Sequence, residues 1–218
     1  MSTITSGTVL GAGLLYDSDT TGNLVIKTGP SAATAATFHG NSATTLNGDV
    51  YLTNISTPLR PLVSGTANSS ISGGTVVDFP IIPSWAKRVT VVFSGVSTNG
   101  TSVILVQLGS GSTNTSGYLG GAVSVQTTTP LTANYTTGFG LAPQQAAVAV
   151  HHGAMIINLV NSSTNAWTAI STSSRSDIAQ AGSSSGSIAL AGVLDRVRVT
   201  TVNGTDTFDA GTINIMWE

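Results

Sequence analysis

Twice between Leu194 and Trp217 the chain alternates apolar and polar residues. Val197 and Val199 alternate with Arg196, Arg198 and Thr200; Ile213, Ile215 and Trp217 alternate with Thr212, Asn214 and Met216. A period of two belongs to a half-buried β-strand. The polar run between them reads as a turn, so Asp206 and Asp209 are expected in a hairpin loop.

The same pattern recurs upstream. Strands are predicted over Thr75–Phe79, Arg88–Ser94, Ser102–Leu108, Ala154–Val160, Trp167–Ser171, Ser187–Leu190, Asp195–Thr201 and Thr212–Trp217. Val89, Val91 and Phe93 share one face of their strand, as do Met155, Ile157 and Leu159. The run Val103–Leu108 is apolar on both faces and reads as a central strand. Asn99-Gly100, Asn203-Gly204 and Gly73-Gly74 fall between strands, where residues tolerating positive φ are wanted. Helical periodicity is missing; Gln144–Val150 could make a turn or two, started by Pro143. The fold expected is all-β: a jelly-roll-like antiparallel β-sandwich over residues 75–218, preceded by an extended arm of strand repeats.

That arm, residues 1–57, repeats one phrase. Gly22-Asn23-Leu24-Val25-Ile26-Lys27-Thr28 and Gly48-Asp49-Val50-Tyr51-Leu52-Thr53-Asn54 each set Gly and a small polar residue before a short apolar alternation. The stretch between, SAATAATFHGNSATTLN, is too poor in large apolar residues to form a core by itself. A two-stranded hairpin is marginal in water, so the arm is expected to anchor or oligomerise, with copies completing one another's cores; a polar leader preceding the domain is the alternative. Pro58 and Pro61 mark the boundary, and residues 58–74 read as a linker.

Composition narrows the function. Charged residues make up 7% of the 218, against about a quarter in an ordinary domain, and Ser, Thr, Asn and Gly carry the polarity. Such a surface suits burial against other subunits, where each unpaired charge would carry a desolvation cost. A net charge of −2 without a basic cluster leaves nothing to neutralise a phosphate backbone, so no nucleic-acid partner is expected. Cysteine is absent, which removes disulfides and thiolate chemistry. No apolar stretch approaches the roughly 20 residues of a membrane span, and the N-terminal apolar run has no basic residue before it, so neither membrane insertion nor a secretion leader is expected.

Candidate chemistry is sparse. Gly182-Ser183-Ser184-Ser185-Gly186 fits the nucleophile-elbow pattern, but that motif needs a strand-to-helix turn and a nearby His; a flexible hairpin loop is expected instead. Asp17-Ser18-Asp19-Thr20-Thr21-Gly22 opens like a calcium loop, yet its twelfth position is Thr28, which lacks the bidentate carboxylate. His151 and His152, being adjacent, point to opposite faces of a strand and cannot chelate one metal together; His39 lies in the arm. The only Glu is Glu218. No catalytic residue, metal or cofactor is therefore expected, and Asn-x-Ser/Thr sequons such as Asn68-Ser69-Ser70 follow from composition. Tyr118, Tyr135 and Trp167 sit in or beside Gly- or Asn-rich stretches and are the candidates for stacking on a glycan or partner, with core packing the alternative for Trp167.

With these residues in hand, the second domain resembles a module at the C-terminal ends of fibre and minor structural proteins of tailed bacteriophages. The resemblance is carried by IPSWAKRVTVVFSGVS (residues 82–97), VILVQLG (103–109), Gly117-Tyr118-Leu119-Gly120, Arg175-Ser176-Asp177 and the closing residues 194–218. The phrase TTGNLVIKTG is similar to strand repeats in phage fibre shafts. The resemblance implies a homotrimeric virion protein, made in the host cytoplasm, held to other virion proteins by residues 1–57, with its sandwich turned outward. It brings no catalytic or metal residues. A short tail fibre, a capsid decoration or head-fibre protein, and a free lectin-like carbohydrate-binding module are the three roles weighed.

Overall fold

A computed structural model describes residues 23–28, 33–39, 50–51, 58–59, 61–69, 71–126, 129–143 and 145–218. The chain divides into two compact units, Met1–Arg60 and Pro61–Glu218. The Asp17–Gly22 turn, Asp49 and Gln144 lie outside the described residues.

In the first unit, β1 (Asn23–Thr28) pairs antiparallel with β2 (Ala33–His39), and β3 (Val50–Tyr51) with β4 (Pro58–Leu59). Among the described residues the two copies of the repeated phrase therefore do not pair with each other. Each takes the segment that follows it, because closing a short loop loses little chain entropy. Ala33–His39 of the Ala-rich stretch is thus a strand, with Leu24 opposite Phe38 and His39 opposite Asn23. Pro58 stands opposite Tyr51 in a two-stranded ribbon, where a residue without an N–H can be tolerated.

The second unit holds two antiparallel sheets. Its strands are β5 (Val63–Ser64), β6 (Val77–Phe79), β7 (Arg88–Thr98), β8 (Ile104–Ser110), β9 (Ser112–Thr113), β10 (Leu119–Gln126), β11 (Thr129–Tyr135), β12 (Phe139–Gly140), β13 (His151–Asn161), β14 (Ala166–Arg175), β15 (Gln180–Ala189), β16 (Arg196–Thr201) and β17 (Phe208–Trp217). The larger sheet has the order β11-β10-β15-β14-β13-β7-β17-β5; the smaller has β12-β8-β16-β6, with β9 folded back on β8. Among the described residues there is no helix. Residues 145–149 form a non-helical turn, Ala149 N–H donating to Ala146 C=O.

The core lies where the alternating faces meet. Val89, Val91, Phe93, Met155, Ile157, Ile213 and Ile215 come from the larger sheet; Val77, Phe79, Ile104, Val106, Leu108, Val197 and Val199 come from the smaller. The expected central strand is β8, buried from Ile104 to Gly109. Burying one Val, Leu, Ile or Phe side chain stabilises a fold by about 1.5–3 kcal/mol, so this cluster is the main source of stability.

Three sequence expectations change. First, β16 and β17 form as predicted but in different sheets, so the polar run between them is a crossover and not a hairpin loop. Their apolar faces meet across the core instead of side by side. Asp206 accepts the Ser102 N–H at 2.8 Å within that crossover, and Asp209 lies in β17, bonded to the Ser97 hydroxyl. Second, residues 61–74, expected as linker, belong to the sandwich. Gly65 N–H donates to Ile215 C=O at 2.7 Å, Asn68 and Ile213 exchange backbone bonds, and Ile71 is buried. The outer edge of β17 needs hydrogen-bond partners, and this segment supplies them. Third, the GSSSG tract is not a loop. It lies inside β15, paired with β14 on one side and β10 on the other.

Two glycines shape one end of the larger sheet. Gly153 and Gly211 have φ of 144° and 101° and sit where the pairing of β13 and β17 with β7 shifts register. A Cβ at Gly153 would lie 2.2 Å from the Thr172 carbonyl oxygen, so only glycine fits this bulge.

Candidate functional site

Tyr118, Tyr135 and Trp167 are 1%, 8% and 2% exposed, so none presents its ring on the surface of this fold, and Trp167 takes the core-packing alternative. The Tyr118 ring meets Phe139 edge to face at 5.0 Å. Its hydroxyl accepts the Leu108 N–H at 2.7 Å and donates to Asn114 C=O at 3.2 Å. Tyr135 lies over Gly140, where a Cβ would come within 2.3 Å of the ring, and packs with Leu105 and Ala122. The two tyrosines clamp the β8–β12 edge from its two sides, since Phe139 and Gly140 alternate along one strand. Burial pushes both phenols up to about 12. Trp167 joins the main core. Gly-rich flanks made these aromatics look like loop residues; they are the packing that closes one edge of the sandwich.

A buried polar corner is what sequence reasoning missed. Ser124 of β10, Gln180 and Ser184 of β15, Ser171, Ser173 and Arg175 of β14, and His151 of β13 are all buried. Leu141 and Ala142, leading into the turn at 145–149, lie over this corner. The Ser171 hydroxyl donates to Leu141 C=O at 3.3 Å and shares a 2.6 Å bond with the Ser184 hydroxyl. A loop presents backbone carbonyls that a packed sheet would not, and inward-facing serines satisfy them.

At the end of this corner His151 Nε2 bonds the Gln145 side-chain carbonyl, whose amide donates to the Thr98 hydroxyl at 3.1 Å. Burial, reinforced by the Arg175 charge, lowers the His151 imidazole to about 4. Arg175 donates to Gln180 Oε1 at 3.0 Å and grips Asp177, whose carboxyl that bond holds down at about 2. Asp177 also accepts the Val150 N–H at 3.0 Å. Arg175, Asp177, Gln180 and Gln145 are spent on these bonds, while His151 Nδ1 and the Ser124 hydroxyl are buried without a hydrogen-bond partner. Ser184, the residue of the elbow pattern, has Ser171 as its partner and sits mid-strand. His152 points the other way, accepting the Gly95 N–H at Nδ1. Among the described residues no three His, Asp or Glu side chains are grouped to hold a metal.

The outer faces of the two sheets differ. On the smaller sheet Asp78 pairs with Arg198 and Asp195 with Arg196, each at 2.7 Å. On the larger sheet the outward rows run Thr132-Val123-Ser183-Thr172-Ala154-Val92-Asn214 and Asn134-Gly121-Ser185-Ile170-Ile156-Thr90-Met216-Ser64. Neither row carries a charge. Ile170 is 52% exposed, and Val123, Val125 and Leu119 are exposed beside it. A groove of about 450 Å³ separates the two sheets at the β5 and β6 edges, lined by Gly65, Asn68, Asp78, Phe79, Ile81 and Trp217.

No protein-family model, curated protein or solved structure matches this chain.

Proposed function

We propose that the chain is a structural protein of a tailed-bacteriophage particle: a homotrimeric short tail fibre or appendage, held by residues 1–57 and presenting the sandwich to the host surface. One observation carries the reading, the inequality of the two units. The sandwich has a continuous core of its own, whereas the described strands of the first unit pair two by two. Ribbons of that kind are marginal alone and become stable when other polypeptides complete them. The mechanism is multivalent contact: several weak sites on one rigid body raise avidity by orders of magnitude.

The burial of Tyr118, Tyr135 and Trp167 weighs against the lectin reading, which relied on them as surface stackers. The capsid-decoration reading differs in where the arm docks, and it is separated by copy number. The test is sedimentation of the full chain at micromolar concentration together with tracing of the chain in a map of the intact particle. A mass of three chains and a place on the tail are expected. A single-chain mass, with the chain absent from purified particles, overturns the proposal; a place on the capsid lattice replaces it with decoration.

A further inference from the structure

The geometry points to the outer face of the larger sheet, centred on Ile156 and Ile170, as the surface that packs against a second copy of this chain; this rests on the self-assembly proposed above and assigns it a place. Ile156 and Ile170 stand directly opposite each other in the register of β13 and β14. Val92 and Ala154 pair in the next row, and Val123 and Val125 form a second apolar ridge along β10. Between the ridges β15 turns only Ala181, Ser183, Ser185, Ser187 and Ala189 outward. The face is thus a trough between two apolar ridges, a shape that the same faces of neighbouring copies can fill when they turn towards a shared three-fold axis.

Charge and size select the occupant. Across β10, β15, β14, β13, β7 and β17 the outward charges stand only at the ends of strands: Arg88 and Glu218 pair at 2.8 Å at one end, and Asp209 at the start of β17 is bonded to the Ser97 hydroxyl at the other, which leaves the centre of the face neutral. A partner rich in acid or base finds nothing complementary here, whereas an uncharged face meets its own copy without unpaired charges. Six strands about 4.8 Å apart, with outward residues about 6.8 Å apart along each, give the face on the order of 800 Å², the share one partner contributes to a stable interface. The outer face of the smaller sheet, with its Asp78–Arg198 and Asp195–Arg196 pairs, offers no such continuous neutral surface.

The test uses the full chain. Ile170→Lys places a charge at an exposed strand position, where the free chain tolerates it, and is compared with Val202→Lys in the exposed β16–β17 crossover. Sedimentation velocity is expected to show at least a tenfold loss of self-association for Ile170→Lys and none for Val202→Lys. Because the chain has no cysteine, Ile170→Cys and Val202→Cys also accept single spin labels. Short distances between copies are expected at position 170 and not at 202, which covers the case in which the lysine variant misfolds. If the wild type assembles but Ile170→Lys assembles equally well, or the labels at 170 lie far apart, the face assignment fails while the self-assembly proposal stands. A monomeric wild type overturns both.

Discussion

Two parts of one sandwich interior are built on opposite principles. Where the larger sheet faces β8, β16 and β6, every inward position of β7, β13 and β17 is apolar from Val89 to Phe93, at Met155 and Ile157, and at Ile213 and Ile215. At the corner under Leu141 and Ala142 the inward positions of β14 and β15 are Ser171, Ser173, Arg175, Gln180 and Ser184. A sheet satisfies its own backbone, so its partner can be hydrocarbon. A loop does not, so its partner must carry donors and acceptors. Strand pairing is continuous through both parts, and only the cover changes.

If that is right, the largest loss comes from emptying the apolar part. Phe208 is fully buried in the main core, and Phe208→Ala is expected to lower unfolding free energy by about 3–5 kcal/mol, transfer and cavity terms together. Urea denaturation followed by tryptophan fluorescence measures it. A loss under 1 kcal/mol would mean that this region is loosely packed and that the contrast is overstated.

The polar corner is expected to fail in acid. The native fold holds His151 at about 4, below the ordinary value near 6.5, so folding favours the neutral ring. Its contribution is complete above about pH 6.5 and is lost as pH falls towards 4, because the unfolded chain then binds the proton more readily. With a shift of this size the loss approaches about 3 kcal/mol at pH 4. His151→Gln is expected to flatten the dependence between pH 6.5 and 4. It leaves the separate loss below pH 4, where Asp177, held at about 2, gains its proton.

Removing the Arg175 side chain sits next in size. Its guanidinium is nearly fully buried and bonds both Gln180 and Asp177. Arg175→Ala is expected to cost about 2 kcal/mol through lost charge-assisted hydrogen bonds. It should also loosen the turn at residues 176–179, read as faster amide exchange at Ser176, whose N–H donates to Val150 C=O.

How far the chain's pattern reveals this architecture depends on side-chain size. Val197, Val199, Ile213 and Ile215 announce their strands because large apolar residues alternate with polar ones, and the all-β class follows from many such runs. Only the end of β15 is announced, in the Ser187–Leu190 run; Ala181 to Ser187 offers only small residues, which favour no structure until β10 and β14 flank them. Leu119–Gln126 is masked in the same way by Gly120-Gly121. The corner's chemistry is less visible still: His151 and Gln145, or Ser171 and Leu141, meet through the fold rather than through local spacing. Tyr118 and Tyr135 show the reverse error, since glycines beside an aromatic signal a loop as readily as a close approach such as that of Tyr135 to Gly140.

The smallest expected effect discriminates most finely between the two parts. Ser184→Ala removes one hydroxyl that shares a 2.6 Å bond with Ser171. A neutral buried hydrogen bond is worth about 1 kcal/mol net, and the Ser171 hydroxyl keeps Leu141 C=O as an acceptor, so a loss of about 1 kcal/mol is expected. The double variant Ser171→Ala/Ser184→Ala is not expected to double it through their shared bond, but it leaves the Leu141 carbonyl without that donor. The Ser173 hydroxyl, 3.5 Å from the same carbonyl, stays as a weaker donor, so if the corner works by satisfying the loop the double variant loses more than Ser184→Ala by about 1 kcal/mol, the net worth of one buried hydrogen bond. If two buried methyl-sized groups serve as well, the pair of alanines is neutral relative to the single change, and loop satisfaction is not what these serines do.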